Sequence, residues 1–373
     1  MEEGQEKYGS IDQEAGEMSK KSVAVLFGGC SNEYEVSLKS AASVIEQINL
    51  DKYNLIMIGI TKEGNWLRYS GSIDEIKKDS WHQHPSCIPS FISPSREVKG
   101  LVELVHTEFH VVPVDVVFPV LHGKYGEDGT VQGLLELAGI PYVGCNSLSS
   151  AVAMDKVMAH TLVKAEEIKV TSSVVVYRGE SATEAAVQAE KLGYPLYVKP
   201  VRSGSSIGIT KAANKEELIA GIQAAFAHDN KVVIERNIAG FEIGCAVLGN
   251  QEPIVGIIDE IEVTDGFFNF TEKYTLQSSK IHLPARIDSD TAERARETAL
   301  RIYKVLGCQG FARVDLFVTP EKEIVFNEVN TIPGFTSSSR YPNMLQKSGM
   351  NYSEIIDRLL NLALVEADEQ WKL

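Results

Sequence analysis

At 373 residues, with 44% apolar and 23% charged residues, the chain has the composition of a globular protein and is long enough for two or three domains. A formal net charge of −15 argues against nucleic acid or an anionic membrane as partner, and no apolar run approaches the roughly 20 residues that span a bilayer. The five cysteines (Cys30, Cys87, Cys145, Cys245, Cys308) show no Cys-x-x-Cys spacing and the N-terminus has no apolar signal-peptide core, so a reduced, cytoplasmic protein without a zinc site is expected.

Residues 1–19 are polar, acidic and aperiodic and read as a disordered leader, with Met18 a natural start ahead of the first strand. A buried-type strand at 23–27 runs into Gly28-Gly29-Cys30-Ser31-Asn32-Glu33, then an apolar-periodic helix to about 48. Strands at 54–60 and 114–120 follow, the second ending in Leu121-His122-Gly123-Lys124-Tyr125-Gly126, and then a helix over 131–138. Strands alternating with helices imply a parallel sheet with ligands at its C-terminal edge. Residues 70–100 read as loop and edge structure. Gly28-Gly29 has no Gly-x-Gly-x-x-Gly continuation, which argues against an NAD site. Glu33 suits an ammonium group, Ser37 suits a helix cap, and His122 is open to a structural or a functional role.

A second unit is expected over 144–235, with a helix at 149–165, strands near 174–177 and 195–200, a helix near 215–227 and a strand at 232–235. Lys199 ends a strand and is followed by Pro200-Val201-Arg202-Ser203-Gly204-Ser205-Ser206-Ile207-Gly208. Small side chains let backbone N–H groups approach phosphate oxygens while the lysine supplies charge. A flexible turn is the alternative. This is not a P-loop, because the lysine precedes the glycines. Lys156 and Lys273 are further phosphate candidates or plain surface lysines. Glu235 and Glu242, beside the next boundary, could serve adenine and ribose or be exposed acids.

The third unit, 236–373, opens with strands at 240–248 and 254–261, a Gly/aromatic-rich loop at 264–284 and a helix at 291–306. Two alternating apolar runs then flank the turn Thr319-Pro320-Glu321-Lys322. Arg313 and Asp315 share one face of the first strand, and Glu328 and Asn330 share one face of the second. If Val318 pairs with Glu323, Arg313 lies opposite Glu328 and all four polar side chains point the same way. Two carboxylates and an amide oxygen suit Mg²⁺. A solvated hairpin face is the alternative.

In order, Phe27-Gly28-Gly29 with Glu33-Tyr34-Glu35-Val36-Ser37, the loop 121–130, Met154-Asp155-Lys156, the loop 199–208, Glu272-Lys273-Tyr274 and the stretch 327–339 resemble the D-alanine–D-alanine ligases of the ATP-grasp superfamily. The resemblance covers essentially all of residues 22–365. It implies an α/β, three-domain architecture: an N-terminal parallel-sheet domain (20–143) and two α+β domains (144–235 and 236–373) enclosing ATP. It implies ligation of two D-amino acids through an acyl phosphate, with closure against water.

By the same resemblance, Asp315, Glu328 and Asn330 hold two Mg²⁺ ions, with Mn²⁺ able to stand in. Lys156, Lys199 and Lys273 bind phosphate oxygens, and Glu235 and Glu242 contact adenine and ribose. Glu33 binds the ammonium of the first D-alanine, joined by Ser205 and Tyr274 when the loop 264–284 closes. Arg313 and the N–H of Gly334 form an oxyanion hole, and Ser339 receives the second substrate's carboxylate.

The Lys273-Tyr274 pair fits an amine nucleophile rather than lactate. Arg340-Tyr341-Pro342, Gly266-Phe267-Phe268 and the run 255–261 resemble the vancomycin-resistance D-alanine–D-serine ligases of the VanG type. His122, Asp259, Phe268 and Arg340 are then the candidates for substrate specificity, although Arg340 could instead be a structural partner of Asp259. The resemblance implies D-alanine and D-serine as substrates, a role in peptidoglycan synthesis and a homodimer. An ordinary D-alanine–D-alanine ligase is the alternative. An ATP-grasp carboxylase and a degenerate nucleotide-binding module fit less well, because the Glu33/Ser205/Tyr274 set and all three metal candidates are present.

Overall fold

The computed structural model describes residues 20–263 and 279–370. The first unit contains β1 (Lys21–Gly28), α1 (Tyr34–Gln47), β2 (Tyr53–Ile60), β3 (Trp66–Tyr69), α2 (Ile73–Lys77), β4 (Ile88–Ile92), β5 (Gly100–Val105), β6 (Glu108–Pro113), β7 (Val116–Pro119) and α3 (Thr130–Ala138). Its sheet runs β6-β5-β4-β3-β2-β1-β7. Among the described residues β2, β1 and β7 pair as parallel strands, with one further parallel bridge from Val117 to Tyr142, and the rest is an antiparallel meander, so the expected parallel sheet is confined to three strands. Residues 70–100, expected to be irregular, supply α2 and β4. Ile88–Ile92 alternates exposed and buried positions around a proline, which fits a half-solvated antiparallel strand and hides it from a search for continuous apolar runs.

Ser37 is not a helix cap. The turn after β1 is short, α1 begins at Tyr34 with Glu33 as its N-cap, and Ser37 lies inside the first turn. Its hydroxyl accepts from the Gly28 N–H at 2.8 Å and donates to the Val120 carbonyl, joining the C-terminal ends of β1 and β7.

Next come α4 (Ser147–Met154), α5 (Lys156–Ala165), β8 (Ser173–Tyr177), α6 (Ala182–Ala189), β9 (Leu196–Pro200), β10 (Thr210–Ala212), α7 (Lys215–Ala225) and β11 (Lys231–Arg236). They form an antiparallel sheet, β10-β9-β11-β8, with helices packed on it. The single helix expected over 149–165 is two helices. Asp155 leaves helical geometry (φ −84°, ψ 98°) and its carboxylate accepts from the N–H groups of Val157 and Met158 at 3.1 and 3.0 Å. The break makes Lys156 the first residue of α5.

The remainder is β12 (Phe241–Leu248), β13 (Ile254–Val255), β14 (Asp259–Val263), β15 (Ser279–His282), α8 (Ser289–Val305), β16 (Phe311–Val318), β17 (Ile324–Asn330), α9 (Arg340–Lys347) and α10 (Tyr352–Gln370). The third sheet runs β15-β14-β12-β16-β17, with β13 also on β12. The strand expected over 254–261 divides because the chain leaves the sheet to meet α9, the Ile257 N–H donating to the Met344 carbonyl at 3.1 Å.

One apolar core joins β1, β7 and α1 to α9 and α10. Phe335 sits at its centre, with ring centroids 6.0 Å from Phe118, 5.7 Å from Phe311 and 5.6 Å from Tyr352. The four-stranded sheet has a separate core of Val176, Leu196, Val198, Leu218, Ile222 and Ile234 with their neighbours. Among the described residues no helix is long and apolar enough to cross a membrane.

Candidate active site

The β16–β17 hairpin departs from its expected register. Val318 pairs with Ile324, not Glu323, because the turn takes five residues: Thr319 N–H donates to the Glu323 carbonyl at 3.1 Å. Further along, Leu316 pairs with Phe326 but Asp315 pairs with Glu328, leaving Asn327 as the extra residue of a β-bulge. Arg313 therefore lies opposite Asn330, and the expected Arg313–Glu328 pairing is corrected. The bulge has a large consequence for Glu328. Continuing the Val318–Ile324 register would set Glu328 opposite the buried Val314, on the core side. The extra residue brings Glu328 onto the face of Asp315, Arg313 and Asn330.

Asp315 is 1% exposed, so this face is not a solvated hairpin surface. Arg313 grips its carboxylate from Nε and Nη2, both at 2.7 Å, and the Asn330 amide donates to Oδ2 at 2.9 Å. Among the described residues no three His, Cys, Asp or Glu side chains form a metal cage by themselves. Two carboxylates and an amide on facing strands make a partial oxygen set. Such a set fits Mg²⁺, which completes its shell with phosphate oxygens and water.

Beside this face a cavity of about 540 Å³ is lined by Lys156, Lys199, Glu235, Glu242, Asn327 and Glu328 among others. Lys156 Nζ donates to the Ser203 carbonyl at 2.8 Å and lies 3.6 Å from Glu328 Oε2. Lys199 and Glu235 form a buried ion pair at 2.6 Å. Burial works against both charges. Their mutual attraction outweighs it, holding the lysine above its usual pKa and the carboxyl below its own. Glu242 lies 3.2 Å from Arg340 Nη1 and 3.4 Å from the Asn327 amide. A larger open groove of about 990 Å³ adjoins this cavity through Lys156 and Glu235, but Asp315, Glu328 and Asn330 do not line it.

The loop after Lys199 is pinned by Asp229, whose carboxylate accepts from the Arg202 N–H and Nη2, each at 2.7 Å. Ser205 and Ser206 are left-handed (φ 48° and 59°), and the Ser205 hydroxyl donates to Glu33. A β-carbon at Gly204 would lie 2.7 Å from Glu33 Oε2. A small recess lined by Glu33, Ser205, Lys156, Glu328 and Asn330 therefore brings the first-substrate candidates to the candidate metal face.

His122 is buried and bonded on both ring nitrogens, Nδ1 to the Ile332 carbonyl at 2.9 Å and Nε2 to Ser40 Oγ at 3.1 Å. Burial opposes its charge, but Glu127 at 3.6 Å outweighs that and raises its pKa. Arg340 forms a two-pronged pair with Asp259, at 2.8 Å from Nε and 2.7 Å from Nη2, and its Nη1 is 3.7 Å from Asp315. A β-carbon at Gly244 would come within 2.6 Å of Asp259 Oδ1, so the glycine makes room for this pair. Ser339 is the N-cap of α9, and its hydroxyl accepts from the Thr336 N–H at 2.9 Å. A β-carbon on Gly334 would lie 3.1 Å from that hydroxyl. Phe268, Lys273 and Tyr274 lie outside the described residues.

Sequence reasoning missed Asp229, Gly244 and the bulge at Asn327. Asp229 stands between α7 and β11 without any motif, and its partner Arg202 is known only once the sheet is assembled.

A family profile described as "D-ala D-ala ligase N-terminus" matches residues 22–145, and one described as "D-ala D-ala ligase C-terminus" matches residues 162–361. A D-alanine–D-alanine ligase of Caldicellulosiruptor bescii is 47% identical over 95% of this chain and 98% of its own length. The vancomycin B-type resistance protein VanB of Enterococcus faecalis is 45% identical over 93% of this chain and 99% of its own. Among solved structures, the VanG D-Ala:D-Ser ligase of Enterococcus faecalis matches with a TM-score of 0.85 at 54% identity, over 92% of this chain and 99% of that one.

Proposed function

The chain belongs to the D-alanine–D-alanine ligase family, ATP-dependent peptide-bond-forming enzymes of the ATP-grasp fold, and on that premise we propose that it joins D-alanine to D-serine. The observation that carries the serine reading is Arg340. Two of a guanidinium's five donors go to Asp259 and one to Glu242, which fixes a polar fork beside Asp315. Such a fork suits a seryl hydroxyl or its carboxylate. The 54% identity to a D-Ala:D-Ser ligase supports the same reading.

The family uses ATP and Mg²⁺. Bound at Asp315, Glu328 and Asn330, the metal supplies charge neutralisation at the phosphates. Lys156 and Lys199 hold phosphate oxygens, joined by Lys273, while Glu235 and Glu242 face adenine and ribose. Glu33, with Ser205 and Tyr274, holds the ammonium of D-alanine so that its carboxylate meets the γ-phosphate. Transfer of the phosphoryl group gives D-alanyl phosphate and ADP, replacing a poor leaving group with a good one. The amine of D-serine, its carboxylate at Ser339, then attacks the carbonyl. Arg313 and the Gly334 N–H stabilise the oxyanion, and phosphate and a proton leave.

Units at 20–143, 144–235 and 236–373, a cytoplasmic location and a homodimer accompany this reading. The product would enter a modified peptidoglycan precursor and confer vancomycin resistance. A housekeeping D-alanine–D-alanine ligase is the second reading, favoured by the 47% identity to such an enzyme. Incubation with ATP, D-alanine and D-serine at neutral pH decides between them. The mixed dipeptide is expected to dominate. Formation of the D-alanine homodimer alone would overturn the serine assignment.

A further inference from the structure

His160 is buried on α5, one helical turn after Lys156 and on the same helix face. Its Nε2 donates to the Asn327 carbonyl at 2.8 Å, and its ring lies 5.1 Å from that of Phe326. Asn327 is the extra residue of the β17 bulge, and a bulged residue drops out of the regular ladder. Among the described residues β17 is the last strand of its sheet. Its neighbouring Phe326 N–H is taken by the Lys169 carbonyl at 2.8 Å. Segment 169–170 and His160 thus occupy the open edge of β17 where its register shifts. From the same face of α5, Lys156 reaches to 3.6 Å from Glu328.

The geometry points to His160 as a positioning residue: its N–H holds the Asn327 carbonyl and so keeps the bulge that presents Glu328 to nucleotide-bound Mg²⁺. This rests on the ligase reading only through the role given there to Glu328. Without the donor, a part-buried carbonyl loses its partner. A one-residue slip of β17 relieves that loss and turns Glu328 toward the core. Lys156 is unaffected, because the start of α5 and the Ser203 carbonyl hold it. Glu33 and Ser205 lie on other elements, so the groups assigned to the D-alanine ammonium keep their places while Glu328 leaves the recess it shares with them.

The test compares His160→Leu, which removes the donor, with His160→Gln, whose amide nitrogen can replace Nε2. His160→Phe serves as a second apolar variant should the leucine protein not fold. For each, kcat, KM for D-alanine and the half-saturating Mg²⁺ concentration are measured. Mn²⁺ binding in the presence of a non-hydrolysable ATP analogue is followed by electron paramagnetic resonance, which needs no turnover. The apolar variants are expected to lose about 10- to 100-fold in kcat and to bind Mn²⁺ more weakly, with KM for D-alanine unchanged and the glutamine variant largely restored. A folded apolar variant with parental Mn²⁺ binding, or a glutamine variant as impaired as leucine, would overturn the proposal. A parent protein that forms no dipeptide would instead remove the ligase reading, while the Mn²⁺ comparison would still decide the role of His160.

Discussion

Arg340 and Asp259 meet through two parallel hydrogen bonds, 2.8 and 2.7 Å long, with the carboxylate 1% and the arginine 9% exposed. Removing Asp259 takes away the guanidinium's two shortest contacts and leaves it buried with Glu242 at 3.2 Å and Asp315 at 3.7 Å. Asp259→Ala should therefore cost about 3 kcal/mol of stability in urea unfolding, the low end for a broken buried pair. Arg340→Lys keeps the charge but loses the planar fork, and the D-serine to D-alanine product ratio should fall about tenfold in competition assays. An unchanged ratio would make the pair purely structural.

Glu328→Gln removes the proposed metal carboxylate from a partly exposed position. Turnover should drop by about 100-fold or more, with a raised Mg²⁺ requirement and an unaltered melting temperature. Near-parental kcat would remove Glu328 from the metal set.

Lys199 and Glu235 give a separable test of stability and nucleotide binding. Lys199→Ala should cost about 3–5 kcal/mol, because Glu235 stays buried without its ammonium. Pairing Lys199→Met with Glu235→Leu should recover most of that stability while ATP affinity remains lost. Recovery of ATP binding in the double variant would exclude a phosphate role for Lys199.

Acid should weaken the fold through Glu235 and Asp229. Burial raises both carboxyls, but Lys199 and Arg202 respectively outweigh it, so both titrate below their usual values of 4.5 and 3.8. A depressed folded pKa contributes stability that is complete above the unfolded value and disappears as pH falls through the folded one. Melting temperature should hold steady from neutrality to about pH 5 and fall below it. Asp229→Asn should lower the neutral plateau and soften the acid decline.

The sequence made the candidate metal face legible because side chains alternate along each strand, so Arg313 with Asp315 and Glu328 with Asn330 were readable as pairs. It did not reveal how the strands meet. Nothing in Phe326-Asn327-Glu328 marks a bulge, whose carbonyl finds its donor on His160, far away in the chain. The break at Asp155 was hidden for a different reason: apolar periodicity continues on both sides, and a single capping carboxylate interrupts it. Lys199 and Glu235 were each noticed, but their pairing needs the β9–β11 register, in which Val233 faces Lys199. Strands β1 and β2 were plain from their short apolar runs at 23–27 and 55–60.

The aromatic cluster around Phe335 welds the first and third sheets into one platform, whereas the four-stranded sheet keeps a core to itself. Lys199 and Ser205 therefore belong to a unit with its own core, and Glu33 and Glu328 belong to the joined platform. The four-stranded sheet, with its smaller core, should be the first part of the molecule to exchange its amide hydrogens.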